Sequence, residues 1–351
     1  MFFASDNAAG VAPEILAAIA RANDGKVLSY GRDPWTTRLE RRFADIFERD
    51  VAVFLVATGT AANALALAHI VPPWGAVICH AEAHIATDEC GAPEFYGGGI
   101  KLIGLAGAAG KISPDTLRRA LDAGQWGGPH HVTPAALSLS QSTEAGTIYR
   151  PDELRELAEI AHARGLAVHV DGARLANALA RMNASLADAT WKAGVDVLSF
   201  GATKGGALAA EAVVFFDLAR GANMQERRKR GGHLISKHRF VAAQIEAYLA
   251  EDLWLKHARH ANAMADRLAA GLAAAGLAPV WPVEANEVFV PLPARIDQRL
   301  KAAGAGYYPW NTDALADGIV LPRGATLVRL VTSFATTADE VDRFVATVRA
   351  S

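Results

Sequence analysis

The chain has 351 residues, enough for one large domain with a smaller companion and a sizeable buried core. Hydrophobic residues make up 51% and charged ones 21%, and a formal net charge of -2 holds no attraction for nucleic acid or an anionic membrane. Its apolar runs are too short to span a bilayer, the start Met1-Phe2-Phe3-Ala4-Ser5-Asp6 does not read as a signal peptide, and two cysteines, Cys79 and Cys90, exclude a disulfide framework, so a soluble cytoplasmic protein is expected.

Short apolar runs alternate with amphipathic helical patterns, which predicts an α/β architecture on a mostly parallel sheet. Residues 51–56 read as a strand, after which Gly59-Thr60 opens a helix over 61–69. Residues 75–79 and 101–104 read as further strands, with a helical stretch near 87–92. Residues 136–140 form the next strand, and 151–164 a helix that carries Asp152 and Glu153 in its first turn and ends at Gly165. Residues 166–170, 195–200 and 211–216 return to the sheet. Beyond Asp217 a basic, glycine-containing stretch at 220–239 leads into one long helix over 240–275. Strand-like 288–292, a loop at 304–310, strand-like 326–332 and a last helix from Ala338 predict a small C-terminal α/β domain. The expected domains are 1–250 and 251–351.

Open α/β sheets bind ligands beyond the carboxyl ends of their strands, and three of these ends carry polar residues. The strand at 166–170 delivers Asp171-Gly172-Ala173-Arg174, an acid and a base about a glycine suited to a tight turn. The strand at 195–200 delivers Thr203-Lys204-Gly205-Gly206, a lysine among small residues. The strand at 51–56 delivers Thr58-Gly59-Thr60 into a helix N-terminus, where free amides and the helix dipole suit a phosphate. Taken singly, each has a plainer reading: a surface lysine, a turn, a helix cap. One cofactor would use all three together. Pyridoxal phosphate needs an amine for its aldehyde, an acid at its ring nitrogen and a phosphate cradle. The residues alone leave both readings open.

A resemblance weighs in favour of the cofactor. The segments Ser5-Asp6-Asn7, Tyr30-Gly31-Arg32-Asp33-Pro34, Gly59-Thr60-Ala61-Ala62-Asn63 and Ala83-His84 resemble those of the low-specificity L-threonine aldolases. So do His169-Val170-Asp171-Gly172-Ala173-Arg174, Ser199-Phe200-Gly201-Ala202-Thr203-Lys204-Gly205 and Val328-Arg329-Leu330-Val331-Thr332-Ser333. That family belongs to the aromatic-amino-acid beta-eliminating lyase/threonine aldolase group of fold type I pyridoxal-phosphate enzymes. The resemblance covers nearly the whole chain, and the part from Gln141-Ser142-Thr143-Glu144 to Gly231-Gly232-His233-Leu234 looks closest to the Pseudomonas-type branch, which includes phenylserine-cleaving members.

The resemblance implies a large domain on a mostly parallel seven-stranded sheet, a small C-terminal domain, and a homotetramer with active sites at subunit interfaces. It implies retro-aldol cleavage of L-threonine, L-allo-threonine or a related β-hydroxy-α-amino acid to glycine and an aldehyde. Lys204 would carry pyridoxal 5'-phosphate as a Schiff base, with Thr203 beside it. Asp171 would pair with the ring nitrogen, His84 would stack on the ring, and Gly59, Thr60 and Ala61 would hold the phosphate. Ser5, Arg174 and Arg329 would grip the substrate carboxylate, and Tyr30 would lie at the active-site wall. Two departures stand out. Ser140-Gln141-Ser142-Thr143 replaces the Glu-Asn-Thr-His of many members, and Gly231-Gly232-His233-Leu234-Ile235-Ser236-Lys237 replaces Gly-Gly-Gly-Met-Arg, with Lys237 in the arginine's role toward a neighbour's phosphate.

For the base that removes the β-hydroxyl proton, the candidates are His84 and His130; His131 or a water could stand in for His130. An unperturbed histidine, with a pKa of about 6.5, suits that task. The alternatives are another lyase on the same scaffold, eliminating a β-substituent, and a non-catalytic binding protein that keeps the fold. No metal is expected, since His80 and His84 stand near Cys79 and Glu82 without a zinc-binding pattern. His257 and His260 are expected on a solvated helix face, Arg227-Arg228-Lys229-Arg230 on a solvated or subunit-facing turn, and His169 in a structural role.

Overall fold

The computed structural model describes residues 1–310 and 318–350. Seven strands form the main sheet: β1 (Ala52–Val56), β2 (Gly75–His80), β3 (Lys101–Leu105), β4 (Thr133–Ser140), β5 (Ala167–Gly172), β6 (Val197–Gly201) and β7 (Glu211–Phe215). Their order is β1-β7-β6-β5-β4-β2-β3. Only β7 runs against its neighbours, antiparallel to both β6 and β1. β1 therefore points the same way as the parallel strands, and the last residues of β1, β2, β4, β5 and β6 share an edge with the first residue of β7. Strands β2, β5 and β7 are buried along their whole length, as a sheet covered on both faces requires.

A second sheet, β8 (Glu287–Pro293), β9 (Tyr308–Pro309) and β10 (Ala325–Val331), is ordered β8-β10-β9. It has its own core, in which Val288, Val290, Val328, Leu330 and Phe344 pack with Phe3 from the start of the chain. The Phe3 amide donates to Gly306 O at 2.7 Å, so the N-terminal segment is stitched onto this second core and brings Ser5 and Asp6 with it.

Several local expectations need correction. The single helix over 240–275 is two, Arg239–Leu249 and Leu253–Ala273, because Glu251 and Asp252 adopt left-handed backbone with φ of 48° and 56°. Two helices near the start, Pro13–Ala22 and Pro34–Phe47, escaped the sequence reading although each has proline in its first turn, and Asp33 caps the second by accepting from the Thr36 amide at 2.9 Å. The helical stretch at 87–92 gives way to His84–Thr87 and Ala92–Tyr96. His257 is half-buried, its ring stacked on Phe334 and its Nδ1 bonded to Gly205 O at 2.7 Å, whereas His260 is exposed as expected while its Nε2 bonds Thr336 O at 2.7 Å. Arg228 is buried and donates to Leu55 O at 2.8 Å. His169 is buried between Ser138 and Ser199, a structural place.

The glycines beside the expected site residues serve packing. A Cβ on Gly205 would sit 2.1 Å from the Tyr248 hydroxyl, so the space beside Lys204 is already taken by protein. A Cβ on Gly172 would sit 2.7 Å from Ser199 O, so that glycine lets β5 and β6 lie close and has no turn to make. Backbone of a paired strand cannot swing aside as a side chain can. Gly172→Ala should lower stability by about 1–3 kcal/mol, read from denaturant unfolding of the purified protein. An unchanged midpoint would mean that β5 and β6 part at little cost.

Candidate active site

The shared edge of the main sheet opens into a cavity of about 590 Å³. β1 ends at it in Thr58, which caps the helix Gly59–Ile70 by accepting from the Ala61 amide at 3.1 Å. β2 leads to His84, β4 ends in Ser140 ahead of Glu144, β5 carries Asp171, and β6 leads to Lys204. Because β7 runs the other way, its first residue, Glu211, reaches the same place. The second sheet closes the cavity with Arg329 of β10, whose guanidinium lies 4.7 Å from the centre of the Trp310 ring, and the N-terminal segment adds Ser5.

Asp171 is held from two directions. Its Oδ1 accepts from the Ala173 amide at 2.9 Å and its Oδ2 from Asn63 Nδ2 at 2.7 Å. Burial works against its charge, yet His84, the Ala173 amide, Lys204 and Asn63 together hold its pKa below the ordinary carboxylate value. His84 bonds through Nδ1 to Glu89 Oε1 at 2.9 Å, and this bond, against the cost of burial and with help from Asp171, raises the imidazole pKa. Glu144 Oε1 accepts from Ser140 Oγ at 2.6 Å and from the His84 amide at 2.9 Å, but burial dominates and pushes its pKa up to about 7. Burial likewise lifts Glu211 to about 7, although Thr203 and Lys204 oppose it.

The two arginines differ. Arg174 is gripped by Asp6, Nε to Oδ2 at 2.7 Å and Nη2 to Oδ1 at 3.1 Å, and its Nη1 lies 3.3 Å from Glu287 Oε2. Burial costs both partners, but the pairing holds Asp6 at a pKa of about 2 and raises that of Arg174. Arg329 has a looser tie, 3.6 Å from Nη1 to the same Glu287. The fork of Arg174 is already engaged, so Arg329 is the guanidinium better placed to receive a further anion.

This donor set suits pyridoxal phosphate. It offers a lysine amine, a charged and hydrogen-bonded acid across the cavity, and the open amides of a helix N-terminus at Gly59 and Thr60, where a Cβ on Gly59 would meet nothing within 4 Å. Of the residues expected at the site, Ser5, Gly59, Thr60, His84, Asp171, Arg174, Thr203, Lys204 and Arg329 line the cavity. Ala61 departs from expectation, because its amide already serves Thr58.

Tyr30, His130 and Lys237 lie outside the cavity of their own chain. Tyr30 is exposed, its amide donates to Ser236 O at 3.0 Å, and Lys229 Nζ lies 4.9 Å from the centre of its ring. Lys237, next to Ser236, is exposed on the same patch. His130 is exposed before the first residue of β4, whereas the cavity lies past the last, on the order of 20 Å along the strand. Asn63, Glu89, Glu144, Glu211, Asp6 and Glu287 were given no role from the sequence. Asp6 and Asn63 stood within the segments that carry the resemblance, and Asn63 in Gly59–Ile70 and Glu211 ahead of Ala212-Val213-Val214-Phe215 were polar residues inside or beside an apolar run.

A carboxyl whose folded pKa is raised favours folding while protonated and loses that contribution as pH climbs from its unfolded value through the folded one. For Glu144 that window runs from the ordinary glutamate value of 4.5 to about 7. Glu144→Gln cannot ionise, so the melting temperature of the cofactor-free variant should gain on the wild type between about pH 5 and about pH 8. A difference that stays flat would mean that Glu144 titrates as an ordinary surface acid.

The profile of the beta-eliminating lyase family matches residues 3–294. The chain is 44% identical to the low specificity L-threonine aldolase of Pseudomonas aeruginosa over 87% of its length and 88% of the relative's. It is 41% identical to that of a Pseudomonas species, with the same coverage. A threonine aldolase structure from Leishmania major superposes with a TM-score of 0.91 at 31% identity, covering 99% of this chain and 98% of that one. Serine palmitoyltransferase of Sphingomonas wittichii, at 16% identity and a TM-score of 0.69 over 100% of this chain and 86% of its own, shares the fold. Sequence, fold and cavity agree: the chain belongs to the beta-eliminating lyase family, among the low-specificity L-threonine aldolases.

Proposed function

We propose that this protein is a pyridoxal-phosphate-dependent carbon–carbon lyase that cleaves L-threonine, L-allo-threonine or a related β-hydroxy-α-amino acid to glycine and an aldehyde. The observation that carries the reading is the meeting of Lys204, Asp171 and the amides of Gly59 and Thr60 on one cavity, with Arg329 entering from the second sheet. The relatives at 44% and 41% identity, both low specificity L-threonine aldolases, support the same reaction.

The cofactor, when bound, supplies the electron sink for the pair released as the Cα–Cβ bond breaks. Lys204, which lines the cavity, would provide the amine that holds it. Asp171, charged and fixed by Asn63 and the Ala173 amide, would keep a proton on the ring nitrogen. Gly59 and Thr60 would hold the phosphate and His84 would stack on the ring, with Thr203 beside Lys204. Arg329 would take the substrate carboxylate in its fork, with Ser5 and Arg174, the latter bonded to Asp6, lining the same cavity. His84 is the histidine within the cavity that can accept the β-hydroxyl proton; above its raised pKa it is neutral and able to do so.

Tyr30, Lys237 and His130 act, in this reading, on the cavity of a neighbouring subunit of a homotetramer, His130 near the substrate side chain and Lys237 near the phosphate. Their exposure outside their own cavity supports that assignment. Both cysteines are free, which supports a cytoplasmic setting, and among the described residues no helix is long and apolar enough to cross a membrane. The family's name covers β-elimination too, so the products decide: a panel of β-hydroxy amino acids should yield glycine plus aldehyde, and keto acid plus ammonia would overturn the aldolase assignment.

Arg329→Lys keeps the positive charge and loses the two-pronged contact. It should lower kcat/KM by roughly 10²-fold, about 2.7 kcal/mol, under steady-state assay of aldehyde release. Efficiency equal to the wild type would place the substrate carboxylate elsewhere.

A further inference from the structure

We infer that Glu89 is a positioning residue that orients His84 directly and Asp171 through Asn63, so that two groups lining the cavity are set by one buried carboxylate. The inference deepens the reaction proposed above and rests on it for its functional meaning, though the contacts stand by themselves.

Glu89 lies between the short helices His84–Thr87 and Ala92–Tyr96, and its side chain is 0% exposed. Its Oε1 accepts from His84 Nδ1 and from Asn63 Nδ2, each at 2.9 Å. The same Asn63 nitrogen donates to Asp171 Oδ2 at 2.7 Å. An amide nitrogen has two hydrogens, and here one goes to each carboxylate. The reverse orientation would turn the Asn63 oxygen toward two acids, so the pair of acceptors fixes the amide. A carboxylate only accepts, so Nδ1 of His84 carries the hydrogen and Nε2 is the nitrogen that Glu89 leaves for chemistry.

A role in stability alone does not account for this residue. Glu89 Oε2 is buried and has no hydrogen-bond partner among the described residues, an arrangement that costs folding free energy. Glutamine would keep an oxygen acceptor for both neighbours without burying that charge. The carboxylate's distinct effect is on the imidazole. The charged and titratable groups about His84 are Glu89, Asp171, Glu144, whose carboxylate takes the His84 amide, neighbouring Asp88, and Lys204, which opposes the proton. Of these, Glu89 alone bonds the ring nitrogen.

The test compares Glu89→Gln with Glu89→Ala and the wild type. The His84 imidazole is titrated by NMR in the cofactor-free protein, and melting temperature and the pH profile of kcat are measured alongside. Glu89→Gln should melt at or above the wild-type temperature, yet titrate His84 at a lower pH, move the acid limb of kcat down with it, and cut kcat about 10-fold with little change in KM. Glu89→Ala should lose more of kcat, because both contacts go. An unchanged His84 titration in Glu89→Gln overturns the inference, whatever the substrate. The link through Asn63 has its own arm: Glu89→Ala, which removes the acceptor of Asn63 Nδ2, should weaken cofactor binding measured by fluorescence quenching, and should weaken it less in an Asn63→Ala background; fully additive effects would overturn that link. If the wild type releases no aldehyde from any β-hydroxy amino acid while the His84 titration still falls, the coupling stands and the proposed reaction fails.

Discussion

Parallel strands all finish on the same edge of a sheet, and the cavity of this protein depends on that constraint. β1, β2, β4, β5 and β6 each deliver a polar side chain or a helix N-terminus just past their last apolar residues. The reversed β7 brings Glu211 to that edge from its first residue. Groups more than a hundred residues apart, such as Asn63 and Asp171, become hydrogen-bonding neighbours at 2.7 Å. Gly172 shows how tightly the arrangement is held, since nothing larger fits between β5 and the Ser199 carbonyl.

Bringing so many polar groups to one place carries a cost in burial, and the acids meet it in three ways. Asp6 is neutralised by the fork of Arg174 and stays ionised down to about pH 2. Asp171 keeps its charge through amide donors and nearby cations. Glu144 and Glu211, with weaker support, rise to about 7, so that near neutral pH each divides between its protonated and ionised forms. One edge thus carries both an ionised acid suited to hold a ring nitrogen protonated and acids that titrate near neutral pH. The arginines divide in the same manner, with Arg174 bound into the scaffold and Arg329 more loosely tied.

Much of the fold was legible in the sequence, because β-branched and aromatic runs bounded by glycine mark strands, and all seven main strands fall where such runs predict them. The antiparallel sense of β7 was not, since alternation says nothing of direction. Lys204, Asp171 and Arg174 were legible as polar residues at strand ends. Glu89 and Asn63 were not, because their meaning lies in mutual contact across 26 residues of chain. The small residues about Lys204 suggested room for a ligand, whereas Gly205 makes room for Tyr248. His130, Tyr30 and Lys237 were marked by resemblance, and a single chain gives them no place at its own cavity.

The central claim is that Lys204, at the end of β6 and facing the same cavity as Asp171, is the residue that holds the cofactor. Borohydride reduction of the purified yellow protein, followed by peptide mapping by mass spectrometry, reads that bond directly. The account predicts a pyridoxyl group on the peptide containing Lys204 and on that lysine. A reduced adduct on any other lysine, or a protein that takes up no pyridoxal phosphate, would contradict it.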